Sequence, residues 1–199
     1  MIKTFKFKNQ NSLKNLSIFL EKRRSEKKID IKIVNKIINE IKKNKYKSLI
    51  KYEKKFSKNI EIKPNLKKIN KSIKSLNPKI KKAIDFAYKR IFKFHNLQKA
   101  KDIFYKDNLN NEMMYKYIPI QSVGIYVPSN LPSTLLMNAI PAKIAGVKRI
   151  VLANPKNDKK LNPAVLYAAK KLGINEIYSM GGAQAIASLA YIQKVNKIV

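Results

Sequence analysis

The side chains that could carry chemistry in this 199-residue chain are few and unevenly placed. There is no cysteine, which removes thiolate nucleophiles, disulfides and thiolate metal sites together. His95 is the only histidine, and with no partner it reads as a structural side chain on a helix face. The 12 acidic residues are scattered among 44 lysines and arginines. A zinc cage normally draws on His, Cys and carboxylates in a fixed arrangement, and this stock does not supply one. The pattern with a mechanism is Gly181-Gly182, placed where an apolar strand gives way to a helix. Without side chains there, backbone N–H groups at a helix N-terminus can approach an anion. The same pair also suits a tight strand-to-helix turn that binds nothing, and the residues alone leave both readings open.

The elements that must position these groups fall into two regions. Residues 1–123 contain no glycine, and all five glycines lie between Gly124 and Gly182. The composition therefore changes near Ser122-Val123-Gly124, which gives a mainly helical region over 1–122 and an α/β domain over 123–199. In the first region Ile33, Val34, Ile37, Ile38 and Ile41 recur at helical spacing, and Leu49, Ile50 and Phe56 continue the stripe after a break. A second helix is expected from Pro78 to Gln98, with Ile80, Ile84, Ala87, Tyr88, Ile91 and Phe94 on its apolar face. The polar and aromatic run from Ile103 to Tyr117 carries no periodicity that assigns it.

The second region alternates. Strands are expected at Val123–Val127, Arg149–Ala153 and Ile174–Ser179, with another opening at Lys197. Helices are expected at Ser133–Val147 (with Pro141 as a kink), Asn162–Leu172 and Gly181–Tyr191. Strand–helix alternation of this length implies right-handed βαβ units and a parallel sheet, so the fold class is α/β with a Rossmann-like sheet. The apolar opening at Ile198-Val199 has no closing helix, and the domain is expected to be incomplete at its C-terminus.

Composition excludes several function classes. With 45% hydrophobic residues the chain has material for a real core. Its first residues lack the apolar run and small-residue cleavage site of a signal peptide, and a cytoplasmic setting is expected. The uncharged stretch from Tyr117 to Ala142 is long enough to span a bilayer. It contains Pro119, Pro128, Pro132 and Pro141, however, and reads as a buried strand–loop–helix. The net charge of +32 raises nucleic-acid binding. Yet only Arg23, Arg24, Arg90 and Arg149 are arginines, and bidentate phosphate and base readout favour arginine over lysine. Lysine scattered with isoleucine and asparagine is what a strongly A/T-biased genome encodes at tolerant surface positions, and nucleic acid is not the expected partner.

Three runs, in order and at nearly constant spacing, resemble the N-terminal half of the histidinol dehydrogenase family. They are Val123-Gly124-Ile125-Tyr126-Val127-Pro128; Leu136-Met137-Asn138-Ala139-Ile140-Pro141-Ala142-Lys143-Ile144-Ala145-Gly146-Val147; and Gly181-Gly182-Ala183-Gln184-Ala185-Ile186-Ala187. Asn162-Pro163-Ala164-Val165-Leu166 lies between the last two, and upstream Phe94-His95-Asn96-Leu97-Gln98 matches the family's FHxxQ element. The resemblance implies an aldehyde-dehydrogenase-like fold and NAD-dependent oxidation of L-histidinol through L-histidinal to L-histidine, the last steps of histidine biosynthesis. It further implies zinc to hold the substrate, a Glu–His pair for proton transfer, and a homodimer. Tyr126 matches the tyrosine lining the family's cofactor site and Gln184 the glutamine that hydrogen-bonds the dinucleotide, whereas His95 falls outside the active centre.

The chain also departs from the family pattern. The connection Ser129-Asn130-Leu131-Pro132 is shorter and lacks glycine, Tyr191-Ile192-Gln193 replaces a longer segment, and Lys45-Tyr46 stands where the family usually has Gly-Asp. The family's Gly-Pro-Gly-Asn element would begin right after Val199, and the zinc ligands and Glu–His pair lie further on. The 199 residues alone are therefore expected not to oxidise histidinol. The alternatives are a non-catalytic remnant or assembly module and, behind it, a basic nucleic-acid-binding protein.

Overall fold

The computed structural model describes residues 6–7, 9–25, 31–157 and 160–199, with backbone alone for 22–25. The chain forms two compact units, 1–36 and 37–199. The first holds helix α1 (Gln10–Ser25) and the opening of α2 (Ile31–Asn44). Leu13, Ile18 and Leu20 of α1 are exposed.

The second unit continues with α3 (Tyr46–Ser57), α4 (Leu66–Lys74), α5 (Pro78–Asn96), β1 (Ile103–Lys106), β2 (Glu112–Tyr115) and β3 (Ser122–Tyr126). It then alternates through α6 (Pro132–Ile144), β4 (Arg149–Ala153), α7 (Pro163–Lys171), β5 (Glu176–Tyr178), α8 (Gly182–Tyr191) and β6 (Lys197–Ile198). Strands β3 to β6 form one parallel sheet in the order β5-β4-β3-β6. The chain steps outward from β3 to β5, then crosses back to place β6 on the other side of β3. At such a reversal, open α/β sheets bind ligands in the crevice outside the carboxyl ends of the strands, here those of β3 and β6.

Period-two burial sorts the strands between two faces. Val123, Ile125, Ile150, Leu152 and Ile177 point into a core shared with α4, α5, α6 and α7, which supply Ile69, Ile84, Leu136, Ile140, Val165 and Leu166. Val151, Ala153 and Tyr178 point the other way, against Leu189 and Ala185 of α8 and Leu49 of α3. A third cluster joins Ile37 and Ile41 of α2 to Tyr52 and Ala187.

Helix starts follow local chemistry. The side-chain oxygens of Asn65, Asn77 and Asn162 accept from Lys68 N, Lys79 N and Ala164 N, each at 2.8 Å. Pro78 and Pro163 occupy first-turn positions, where no N–H is needed. Pro141 sits inside α6, which ends at Ile144, three residues short of the expected Val147. Two expected stripes are revised. In α3 the buried positions are Leu49, Tyr52 and Glu53, with Ile50 and Phe56 exposed. In α5 Ile84 is buried and Ile80 and Phe94 are exposed. The unassigned run from Ile103 to Tyr117 contains the antiparallel hairpin β1–β2, closed by Asp107, whose Oδ1 accepts from Leu109 N and Asn111 N at 2.8 and 2.9 Å.

Between α5 and α7, Asp85 takes an ion pair from Lys171 at 2.7 Å and the Tyr167 hydroxyl at 3.0 Å. The Lys171 ammonium holds the Asp85 carboxyl below its ordinary value of 3.8, and Tyr167 adds to the effect. A carboxyl whose folded pKa is depressed contributes stability above its unfolded pKa and loses it as pH falls through the folded one. Asp85→Asn is therefore expected to lower stability at neutral pH and to narrow its gap to the parent below about pH 3.8. Urea unfolding midpoints measured from neutral pH into the acid limb check this, and a constant gap at every pH would refute the assignment.

Candidate cofactor site

The crevice is built from the ends of three strands. Strand β3 ends in Tyr126, whose N–H donates to Val199 O at 2.8 Å, so the segment after β6 is tied to the same edge. Asn154 follows β4 and is fully buried. Its Nδ2 donates to Val127 O at 3.0 Å and Pro128 O at 3.3 Å, fixing the turn that leaves β3. Among the described residues Asn154 Oδ1 has no partner. Strand β5 runs out through Ser179 into the Gly181-Gly182 turn. Asn59 lies across that exit, donating to Ser179 O at 2.7 Å, and Ser179 N donates to Ile62 O at 2.6 Å. Lys156 anchors Asn59 and Glu61 from the loop after β4, at 2.9 and 3.3 Å.

The turn itself is crowded. A Cβ on Gly181 would lie 2.8 Å from Pro155 Cβ and 3.9 Å from the Tyr126 hydroxyl. Gly182 has φ +62°, a conformation that side chains resist, and a Cβ there would lie 3.0 Å from Gln184 Oε1. The structure thus brings Tyr126 and Gln184 to the same two glycines at the strand ends. Gln184 is 3% exposed, so it offers the crevice little more than an edge of its amide.

The N-terminus of α8 holds a group that the sequence reading missed. Glu53, on α3 and 1% exposed, accepts from Gly181 N at 2.8 Å and from Gln184 Nε2 at 2.9 Å through the same Oε1. An internal carboxylate therefore takes a donor that the Gly-Gly reading offered to an external anion. The signal in the sequence was a glutamate four residues after Leu49 on a buried helix face.

His95 is elsewhere. Its Nδ1 hydrogen-bonds Gln98 Oε1 at 2.6 Å, and its ring lines a groove with Tyr117, Pro119, Pro141 and Ile144. Those neighbours precede β3 or end α6, so His95 belongs to the amino edge of the sheet, opposite Tyr126. Tyr178, at the end of β5, is pushed up to about 12, mainly by burial, and stays a neutral phenol. Among the described residues no three His, Cys, Asp or Glu side chains gather to hold a metal ion. The described residues do not fit a zinc site.

The histidinol dehydrogenase family model matches residues 20–199. The chain belongs to the histidinol dehydrogenase family. It is 54% identical to the histidinol dehydrogenase of Pelagibacter ubique, covering 100% of this chain and 48% of that protein. It is 37% identical to that of Caldanaerobacter subterraneus, covering 100% and 49%. The crystal structure of histidinol dehydrogenase from Elizabethkingia anophelis superposes with a TM-score of 0.79 at 36% identity, over 84% of this chain and 41% of that one. The chain thus spans about half the length of the curated histidinol dehydrogenases it matches over its full length. The α/β fold with its parallel sheet is the family's. No helix among the described residues is long and apolar enough to cross a membrane.

Proposed function

We propose that this chain is the cofactor-binding half of a histidinol dehydrogenase, with residues 123–199 as the part that meets NAD. Bound NAD supplies a nicotinamide ring that accepts hydride as L-histidinol is oxidised to L-histidine. The observation that carries the reading is the convergence of Tyr126 and Gln184 on the Gly181-Gly182 turn, at the carboxyl edge of a parallel sheet whose strand order reverses between β3 and β6. Tyr126 would present its hydroxyl and ring to the dinucleotide, and Gln184 its amide. Asn154 would hold the β3 turn in place around the ligand. Dimeric assembly and a cytoplasmic setting accompany the same family reading.

NAD titrated into the isotopically labelled chain tests this. The signals of Tyr126, Gly182 and Gln184 are expected to move together and saturate. Gln184→Ala should weaken binding about fivefold to tenfold, the worth of one hydrogen bond. A titration that leaves the β3 and β5 ends unmoved would overturn the reading.

A further inference from the structure

The buried carboxylate of Glu53 takes no part in the proposed hydride transfer, yet it sits directly behind Gln184, the residue proposed to meet the cofactor. Helix α3 packs on α8, and α3 together with the preceding Lys45 presents opposite charges to the two ends of α8. Lys45 Nζ donates to Tyr191 O, at the helix C-terminus, at 3.2 Å. Glu53 Oε1 accepts from Gly181 N, at the N-terminus, at 2.8 Å. Both charges complement the helix dipole, which is positive at its N-terminus and negative at its C-terminus. Lys45 is exposed and its backbone is strained, with φ +50° at this position.

The same Glu53 oxygen also accepts from Gln184 Nε2 at 2.9 Å. A carboxylate offers only acceptors, so the end of the Gln184 amide that faces it must be the NH2 group. The carbonyl Oε1 is then turned the other way, beneath the exposed Gly182. We infer that Glu53 is a positioning residue: it locks Gln184 with its carbonyl oxygen toward the crevice, so that Gln184 meets its ligand as a hydrogen-bond acceptor. This rests on the proposed cofactor reading. The matching group on a dinucleotide is a donor, a carboxamide N–H or a sugar hydroxyl. Phosphate is the wrong chemistry for this position twice over, because it is itself an acceptor and because the Gly181 N–H behind it is already taken by an anion.

Two measurements on the 199-residue chain test the inference. The first needs no ligand: exchange of the Gln184 side-chain amide protons and the Gly181 amide proton, followed by NMR. Glu53→Ala is expected to speed both by about tenfold or more, as loss of a buried charge-assisted acceptor requires. Glu53→Gln is expected to restore most of the protection, because its amide oxygen can accept from both donors. Should Glu53→Ala fail to fold, Glu53→Met fills a similar volume without an acceptor and carries the same readout. Unchanged Gln184 protection in a folded Glu53→Ala or Glu53→Met chain would overturn the inference.

The second is a double-mutant cycle on NAD affinity. If Glu53 acts through Gln184, Glu53→Ala weakens NAD binding severalfold in the parent and has little effect once Gln184→Ala is present. Equal losses in both backgrounds would mean that Glu53 merely supports α8, and the inference fails. A parent chain that shows no NAD binding sinks the cofactor reading alone, and the exchange result then decides whether Glu53 orients Gln184.

Discussion

Replacing Gly124 with valine is expected to destabilise the chain by about 2–3 kcal/mol, the cost of forcing extra methyl groups into a filled interior. Gly124 lies in the middle of β3, on the face that α8 covers. A Cβ there would meet Leu189 Cδ2 and Val195 Cγ2 at 3.0 Å each and Leu189 Cδ1 at 3.2 Å. Leu189 is itself fully buried, so it has no empty space to retreat into. Alanine already requires a shift of a few tenths of an ångström, and the two further methyls of valine require α8 to lift from the sheet. That movement has a functional signature, because α8 carries Gln184 and β3 carries Tyr126. The urea midpoint should fall, and NAD-induced shifts at Tyr126 and Gln184 should weaken together. A Gly124→Val chain as stable as its parent would mean that α8 does not pack on β3 as closely as these distances require.

The sheet was legible in the sequence because each strand and helix carries its own local signal. The β-branched run around Val123 and Ile125, the Asn162-Pro163 cap and the Gly182 turn place β3, α7 and α8 within two residues of expectation. The hairpin β1–β2 gave no signal because all eight of its residues are exposed, and a strand pair without a buried face has no reason to alternate. Helix α4 was invisible for a related reason: its buried stripe consists of Ile69 and Ile73 alone, set among lysines. The site was half legible. Tyr126 and Gln184 stood out through family resemblance. Glu53 did not, because a glutamate in Tyr52-Glu53-Lys54-Lys55 looks like an ordinary surface charge until the helix face it occupies is known to be buried. Lys45 shows the same limit: a lysine gives no sign of the positive φ that only the backbone reveals.

With L-histidinol, NAD and zinc supplied, the 199-residue chain by itself is expected to produce no NADH above a protein-free blank. Alcohol oxidation needs a base within hydrogen-bond reach of the hydroxyl and a substrate held against the acceptor ring. Among the described residues the candidates near the crevice are already committed. Glu53 is buried against Gly181 and Gln184, and Glu61 is held below the ordinary carboxylate range by Lys68 and Lys156. Burial pushes the Tyr178 phenol up to about 12. His95 sits beyond the other end of β3, and five residues of strand put it roughly 13 Å or more from Tyr126. Joining the chain to the remaining half of the Pelagibacter ubique histidinol dehydrogenase is expected to change the outcome, because that protein is about twice as long and 54% identical over the shared part. The fusion should then reduce NAD in proportion to added histidinol, and Tyr126→Phe or Gln184→Ala in the fusion should raise the NAD concentration needed for half-maximal rate. NADH from the chain alone would show that a base and a substrate site lie within these 199 residues, and that the division of labour proposed between the two halves is wrong.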